Sequence, residues 1–265
     1  MLSIVTVYND ERILDRYLLN SLRNQTAKFE LITLDNTNNK FRSAAEALNY
    51  GGRRSNGKYI MFVHQDVKLS GEDWLNRVEK TLECIHDLGV AGCSGMDIAG
   101  HAKGFIDDNG RLWGKPIDKP TIVQTLDESV LIVPKEVFNR LQFDSQTFNG
   151  WHGYGADYSL SVIKIGLKAY VIPAFIHHYS PSSRRKPSLI RGLFEAQEKL
   201  ILKHRRNHKY IYTTSGFLPT SLTFLLKHPK RFSKNLPITF PQRSAMLKDH
   251  GHNSYPHALF RVLHP

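Results

Sequence analysis

A chain of 265 residues with 41% apolar and 23% charged residues has the makings of one large globular domain, or one domain with an appendage. Two cysteines, Cys84 and Cys93, exclude a disulfide framework and a zinc spacing, and are expected to be buried thiols in a reducing compartment. The net charge of +12 is uneven: residues 181–265 hold 16 Lys and Arg against 3 Asp and Glu, while residues 1–180 hold 20 against 21, so an anionic partner is expected for the tail alone.

The first residues lack the basic start, apolar stretch and small-residue cleavage site of a signal peptide. No apolar run approaches the roughly 18–20 residues that span a bilayer. A cytoplasmic location is expected. Leu2–Val7 reads as a strand, and Asn9 stands where a cap would open the following helix, with Leu14, Tyr17, Leu18 and Leu22 as its apolar stripe. Phe29–Leu34 is a second strand, ending in polar Asp35. Ser43 and Glu46 have the spacing of a capping box for a helix through Leu48, after which Gly51-Gly52 and Asn56-Gly57 read as turns.

Tyr59–Val63 is a compact strand running into His64-Gln65-Asp66, and Ser70 is the expected cap of a helix carrying Trp74, Val78, Leu82 and Ile85. Residues 94–125 read as loops or an irregular hairpin, and Ser129–Val133 returns to strand character. A helix over Ala156–Ile165 ends at Gly166, and the strand Lys168–Ile172 leads to His177-His178. Beyond Ser180, Ser188–Arg206 reads as a long amphipathic helix and Tyr210–Leu226 as short helices; residues 227–265 carry five prolines and little pattern.

Strands alternating with helices imply a mainly parallel sheet covered on both faces, an α/β architecture that binds ligands at the C-terminal strand ends. Polar residues stand at that position three times, after Val7, Leu34 and Val63.

The order of motifs resembles family 2 glycosyltransferases. Ser3-Ile4-Val5-Thr6-Val7-Tyr8-Asn9 resembles their first strand, Leu31–Asp35 the second, and Ala47-Leu48-Asn49-Tyr50-Gly51 their "A-x-N-x-G" segment. His64-Gln65-Asp66 stands where a triplet of acids is usual, Phe143-Asp144 resembles an "F-D-E" turn, and Gly155-Ala156-Asp157 occupies the place of "G-x-E-D". His178-Tyr179-Ser180 matches the histidine that closes the catalytic domain. This resemblance implies a GT-A catalytic domain over residues 1–183, with residues 184–265 as a basic, mainly helical extension. Two departures matter: only the last acid of the triplet is kept, and Ala156 replaces the Glu of the acidic pair.

The implied reaction moves a sugar from a nucleotide-diphosphate donor to a glycan or lipid-linked acceptor with inversion. Asp157 is expected to take the acceptor's proton, and Asp66 with His178 (or its neighbour His177) to hold Mn or Mg on the diphosphate. Asp66 and Asp157 can also be read as a turn residue and a helix-dipole acid, and His178 as a histidine bonded to backbone. Thr6, Tyr8, Asn9, Asp35, Asn49, His64 and Gln65 are implied donor contacts. Arg184 and Arg185 either clamp the diphosphate or belong to the basic tail. Asp127, Trp151, His152 and Tyr154 are the expected acceptor side, although the aromatics of that loop can equally pack on the core.

The tail suits peripheral contact with an anionic membrane at the inner face, in line with polysaccharide or cell-envelope biosynthesis. No nucleic-acid recognition motif accompanies it. Two rivals share the architecture: a nucleotidyltransferase, which would want a glycine-rich basic loop where Tyr8-Asn9-Asp10-Glu11 stands, and a degenerate protein that binds sugar nucleotides or polyanions.

Overall fold

The computed structural model of the chain describes residues 1–180 and 187–227. The expectations for Arg184, Arg185 and residues 228–265 lie outside that range.

A seven-stranded sheet forms the centre, in the order β2 (Phe29–Asp35), β1 (Leu2–Tyr8), β3 (Tyr59–Val63), β11 (Val130–Pro134), β5 (Leu88–Gly92), β12 (Lys168–Val171) and β9 (Thr121–Val123). Strands β2 and β3 run parallel to β1, whereas β11 enters antiparallel between β3 and β5. β1, β3, β5 and β11 are buried on both sides of the sheet, which explains their unbroken apolar runs.

The first helical segment comprises α1 (Glu11–Leu14), a π-helical turn over Asp15–Leu19 and α2 (Asn20–Arg23). Its cap is Asp10 rather than Asn9, because the Asp10 carboxylate accepts from the Arg12 and Ile13 amides. Helix α3 (Ala44–Arg54) opens as expected at Ser43, whose hydroxyl accepts from the Glu46 amide at 3.1 Å. Gly51 and Gly52 are not turns. They lie inside α3, where an added Cβ would sit 2.4 Å from Val5 Cγ1 and 2.4 Å from Phe138 Cζ, so glycine lets the helix press onto β1 and onto α5 (Lys135–Arg140). Helix α4 (Trp74–Glu83) begins at Asp73, three residues after the expected Ser70, and its Trp74 indole donates to the Phe175 carbonyl.

Within residues 94–125 the expected hairpin is present as two antiparallel strands joined at Asn109-Gly110, and further short strands stand where loops were the alternative. β6 (Ser94–Met96), β7 (Ala102–Asp108), β8 (Arg111–Lys115) and β10 (Thr125–Leu126) join β4 (Val67–Leu69) and β13 (Ile176–His178) in a second sheet. In it β13 pairs antiparallel with β4, setting His178 opposite Val67, and parallel with β7, setting His178 opposite Asp108.

Helix α6 (Tyr154–Lys164) packs on the central sheet and ends just before Gly166, which has φ +87. Helix α7 (Pro187–His204) is followed by a hairpin of β14 (Tyr210–Thr213) and β15 (Gly216–Pro219), then by α8 (Leu222–Lys227). The expectation of short helices across Tyr210–Leu226 fails at that hairpin. Its side chains alternate between buried Ile211 and Thr213 and more exposed neighbours, the signature of a strand. Leu200, Ile201, Ile211, Leu218 and Phe224 form one core with Phe148, Ala156 and Leu160. Residues 187–227 therefore cover α6 and are part of the globule.

Candidate active site

Three ends of the central sheet converge on one edge. The register places Tyr8 beside Asp35 on β1 and β2, and Val5 beside Phe62 on β1 and β3. Asn9 and Gln65 lock those ends together: Gln65 Oε1 accepts from the Asn9 and Asp10 amides, and Gln65 Nε2 donates to Asn9 Oδ1 at 2.7 Å. The sequence assigned both to the donor; the structure gives them a shared task in holding the strand ends.

On the β2 side, a cleft of about 400 Å³ is lined by Thr33, Asp35, Asn38, Lys40, Phe41 and Tyr50. Two bonds from Thr37, by amide and hydroxyl at 2.8 Å, hold the exposed Asp35 carboxyl below its usual range. Partial burial and the neighbouring Asp35 charge push the Tyr8 hydroxyl up. Thr6 Oγ1 is buried without a hydrogen-bond partner among the described residues. Asn49 does not reach this cleft. Its amide donates to the Phe143 carbonyl and accepts from the Phe143 amide, so it pins the 143 segment to α3, and the expected donor contact is corrected.

Beyond β3 lies a cluster of His64, Asp66 and His178, each offering one ligand atom within 4.8 Å of the others. His178 Nε2 lies 3.5 Å from Asp66 Oδ1 and 3.4 Å from His64 Nδ1, while its Nδ1 faces Asp108 at 3.2 Å. The backbone builds this arrangement, because the Tyr179 amide donates to the Asp66 carbonyl and the His64 amide to the Ser129 carbonyl. Strand alternation selects between the two histidines: His177 points away and bonds Asp107 at 2.9 Å. Although burial works against it, bonds to Asp108 and Asp66 push the His178 ring up to about 10, and Asp66 in turn is held low. Burial pulls His64 down, and its Nε2 meets the Tyr154 hydroxyl at 2.8 Å.

The expected acceptor side divides. Trp151 is exposed, as a ring-binding aromatic should be, and His152 Nε2 is buried without a hydrogen-bond partner among the described residues. Tyr154 is instead buried against Phe143, with its hydroxyl on His64. Asp127 accepts from the Ser129 amide and from the Thr214 hydroxyl at 2.9 Å, so the β14–β15 hairpin reaches the site. The nearby His178 charge and those bonds keep Asp127 ionised against the burial that would raise it.

Asp157 stands in the first turn of α6, as expected, but its surroundings do not suit a base. It is 2% exposed, Lys203 lies 2.8–2.9 Å from both of its oxygens, and His204 Nε2 lies 2.7 Å from Oδ1. A carboxylate closed over by α7 and held by its side chains has no open path to an acceptor hydroxyl. The geometry lends the expected base role no support: in it Asp157 fastens α7 to α6. Sequence reasoning missed both Asp108, which orients His178, and Glu128. The carboxylate of Glu128 accepts from the Gly155 amide at 3.1 Å.

Comparison with known proteins agrees with this architecture. Residues 3–181 match the glycosyltransferase-like family. The chain is 32% identical over 140 residues to the "ATP synthase subunits region ORF 6" protein of Fuscovulum blasticum, covering 48% of this chain and 53% of that protein, so it spans about half the length of the curated relative. Among solved structures, the mannosyltransferase PcManGT of Pyrobaculum calidifontis, in complex with GDP-Man and Mn2+, is similar with a TM-score of 0.57 and 14% identity, over 93% of this chain and 78% of that one. TarS of S. aureus, in complex with UDP-GlcNAc, gives 0.51 and 15% over 76% and 66%. GalNAc-T7 with UDP, GalNAc and Mn2+ gives 0.52 and 12% over 76% and 47%. The chain has the GT-A fold and belongs to the glycosyltransferase-like family.

Proposed function

We propose that the enzyme transfers a sugar, with inversion, from a nucleotide-diphosphate donor to a hydroxyl of a glycan or lipid-linked acceptor. The observation that carries this reading is the His64, Asp66 and His178 cluster, on the same sheet edge as the cleft at Asp35. The nucleoside is assigned to that cleft, where Asp35 accepts a hydrogen bond and Phe41 and Tyr50 offer apolar faces. Thr6, with its unpartnered hydroxyl, is assigned to the donor as well.

Two imidazoles and one carboxylate fit a divalent cation, and the nitrogens favour manganese over magnesium. Such an ion supplies charge neutralisation on the leaving diphosphate. Asp108 would hold the His178 ring in the orientation that presents Nε2 to the ion, and Tyr154 would do the same for His64. The acceptor is assigned to the side of Trp151 and His152, where α7 comes within 3.5 Å of a His152 ring atom at the position a Gly192 Cβ would take. No helix among the described residues is long and apolar enough to cross a membrane, and the basic C-terminal region is assigned to peripheral contact with an anionic membrane surface on the cytoplasmic side.

Calorimetric titration with a panel of nucleoside diphosphate sugars, including GDP-mannose and UDP-GlcNAc, with and without manganese tests the reading. At least one donor should bind, more tightly with manganese, and Asp66→Ala should remove the manganese-dependent gain. Donor affinity that is the same with and without manganese and in Asp66→Ala would count against the metal assignment, and no binding of any donor against the function.

A further inference from the structure

We propose that Glu128 is the catalytic base of the transfer, a role that rests on the functional reading above. Residues 127–129 form the short connection that precedes β11, at the same edge as His64 and Asp127. From there the Glu128 side chain reaches the first turn of α6, where Oε1 accepts from the Gly155 amide. Its backbone carbonyl lies 3.4 Å from the Tyr154 hydroxyl, which in turn meets His64. Glu128 is thus one hydrogen-bonded side chain away from the cluster assigned to the diphosphate.

Four observations set Glu128 apart from Asp157. First, Glu128 is half-buried, whereas Asp157 is closed over by α7. Second, among the described residues no cation pairs with Glu128, whereas Lys203 and His204 both hold Asp157. Third, burial, helped by the adjacent Asp127 charge and only partly offset by the Gly155, Gly153 and Tyr154 amides, pushes the Glu128 carboxyl up to about 8. A carboxylate that holds a proton that strongly suits general-base work near neutral pH.

The fourth concerns Gly155. An added Cβ there would stand 2.9 Å from Glu128 Cγ, so the Glu128 side chain occupies the space that a residue on α6 would otherwise fill. The missing side chain at 155 and the carboxylate at 128 form one device: glycine makes room, exposes its amide, and the acid is supplied from the β11 side.

In the proposed step the acceptor hydroxyl attacks the anomeric carbon while its proton passes to a Glu128 carboxylate oxygen. The bond from the anomeric carbon to the diphosphate oxygen breaks, and its electron pair leaves on the diphosphate. Charge is conserved: the base is neutralised and the diphosphate takes up one negative charge.

The experiment uses the full chain, manganese, and whichever nucleotide sugar the wild type binds, with water as acceptor and release of nucleoside diphosphate as the readout. Glu128→Gln should lower turnover by roughly 10²–10⁴-fold while donor affinity stays within about twofold. Gly155→Ala should also lower turnover, because it displaces the side chain at 128. Glu128→Gly combined with Gly155→Asp, which returns a carboxylate to the same space from α6, should recover a measurable part of the rate lost in Glu128→Gly. Wild-type turnover that Glu128→Gln leaves unchanged overturns the assignment of the base and leaves the transferase reading standing. Failure of the wild type to bind or turn over any donor in the panel overturns both. A loss of turnover in Glu128→Gln accompanied by an equal loss of donor binding would make Glu128 a donor contact and also overturns the proposal.

Discussion

Asp157→Asn separates the two carboxylates at the α6 entrance. The substitution keeps shape and one acceptor oxygen but removes the charge that faces Lys203 Nζ and His204 Nε2 at 2.7–2.9 Å. Asp157 is 2% exposed, so water cannot replace the lost partner. Removing one member of a buried ion pair costs about 3–5 kcal/mol, chiefly because the other charge is left buried. Lys203 retains Asp144 at 2.8 Å, which argues for the lower half of that range. For a protein of this size each kcal/mol moves the midpoint by roughly 2–4 °C, so thermal unfolding should shift down by roughly 6–16 °C. Turnover measured well below the new midpoint should stay within a fewfold of wild type. The reasoning is refuted if Asp157→Asn leaves the melting temperature unchanged and abolishes turnover, the pattern of a base. Replacing both partners supplies a control: Asp157→Leu with Lys203→Met removes the orphaned charge and should restore part of the loss.

Two further substitutions probe the site and the fold. Burial raises the folded-state carboxyl of Glu128 from an ordinary 4.5 to about 8, so its proton is held in the folded chain and released in the unfolded one across that interval. Stability from this group is fully present below pH 4.5 and is lost as pH rises towards 8, by about 2 kcal/mol once the partial exposure of the residue is allowed for. Glu128→Gln should therefore melt several degrees above wild type at pH 8 and converge with it near pH 4.5; a gap that widens towards acid would contradict the assigned direction. Gly51→Ala gains helix propensity of about 1 kcal/mol but drives a methyl to 2.4 Å from Val5 Cγ1, for which overpacking typically costs about 1–3 kcal/mol. A net loss of up to about 2 kcal/mol is expected in urea denaturation, and an increase in stability would show that α3 can lift from β1 freely.

Much of the architecture was legible because local signals were long enough to be specific. The strands Leu2–Tyr8 and Tyr59–Val63, the Ser43 cap and the Gly166 terminus each rest on several residues that agree. Gly51-Gly52 misled because a glycine pair signals either a turn or a close approach, and only the tertiary contact with Val5 and Phe138 decides between them. Strands β6 and β10 have three and two residues, below any window in which alternation can be read, and exist through their pairing with one another and with β7. The hairpin was detectable in principle, since Tyr210–Thr213 alternates and Gly216 adopts φ +150, but the flanking apolar residues suggested helices. His178 over His177 was undecidable from the sequence alone. The pairing of β13 with β4 and β7 fixes the choice by strand alternation.

The surroundings of Asp157 show where sequence reading stops. Asp157 and Glu128 are both acids close to a helix start or a strand start, and spacing gives no sign of which one a later segment will neutralise. That decision is made by Lys203 of α7, 46 residues beyond Asp157, and it also changes the meaning of the basic tail. Lys203 is consumed by Asp144 and Asp157, Lys199 donates to Asn149, and Arg191 pairs with Glu195, so part of the positive excess after residue 180 is spent inside the globule. The same segment contributes Thr214 to Asp127 and the Gly192 turn of α7 to the surroundings of His152. A formal charge count therefore overstates what this region offers to an anionic surface, and its first contribution is to pack on α6 and reach Asp127 and His152. Removing residues 187–227 should expose Phe148, Ala156 and Leu160 and leave Asp157 without Lys203 and His204, so a chain cut there would lose the fold around α6 before it lost any affinity for membranes.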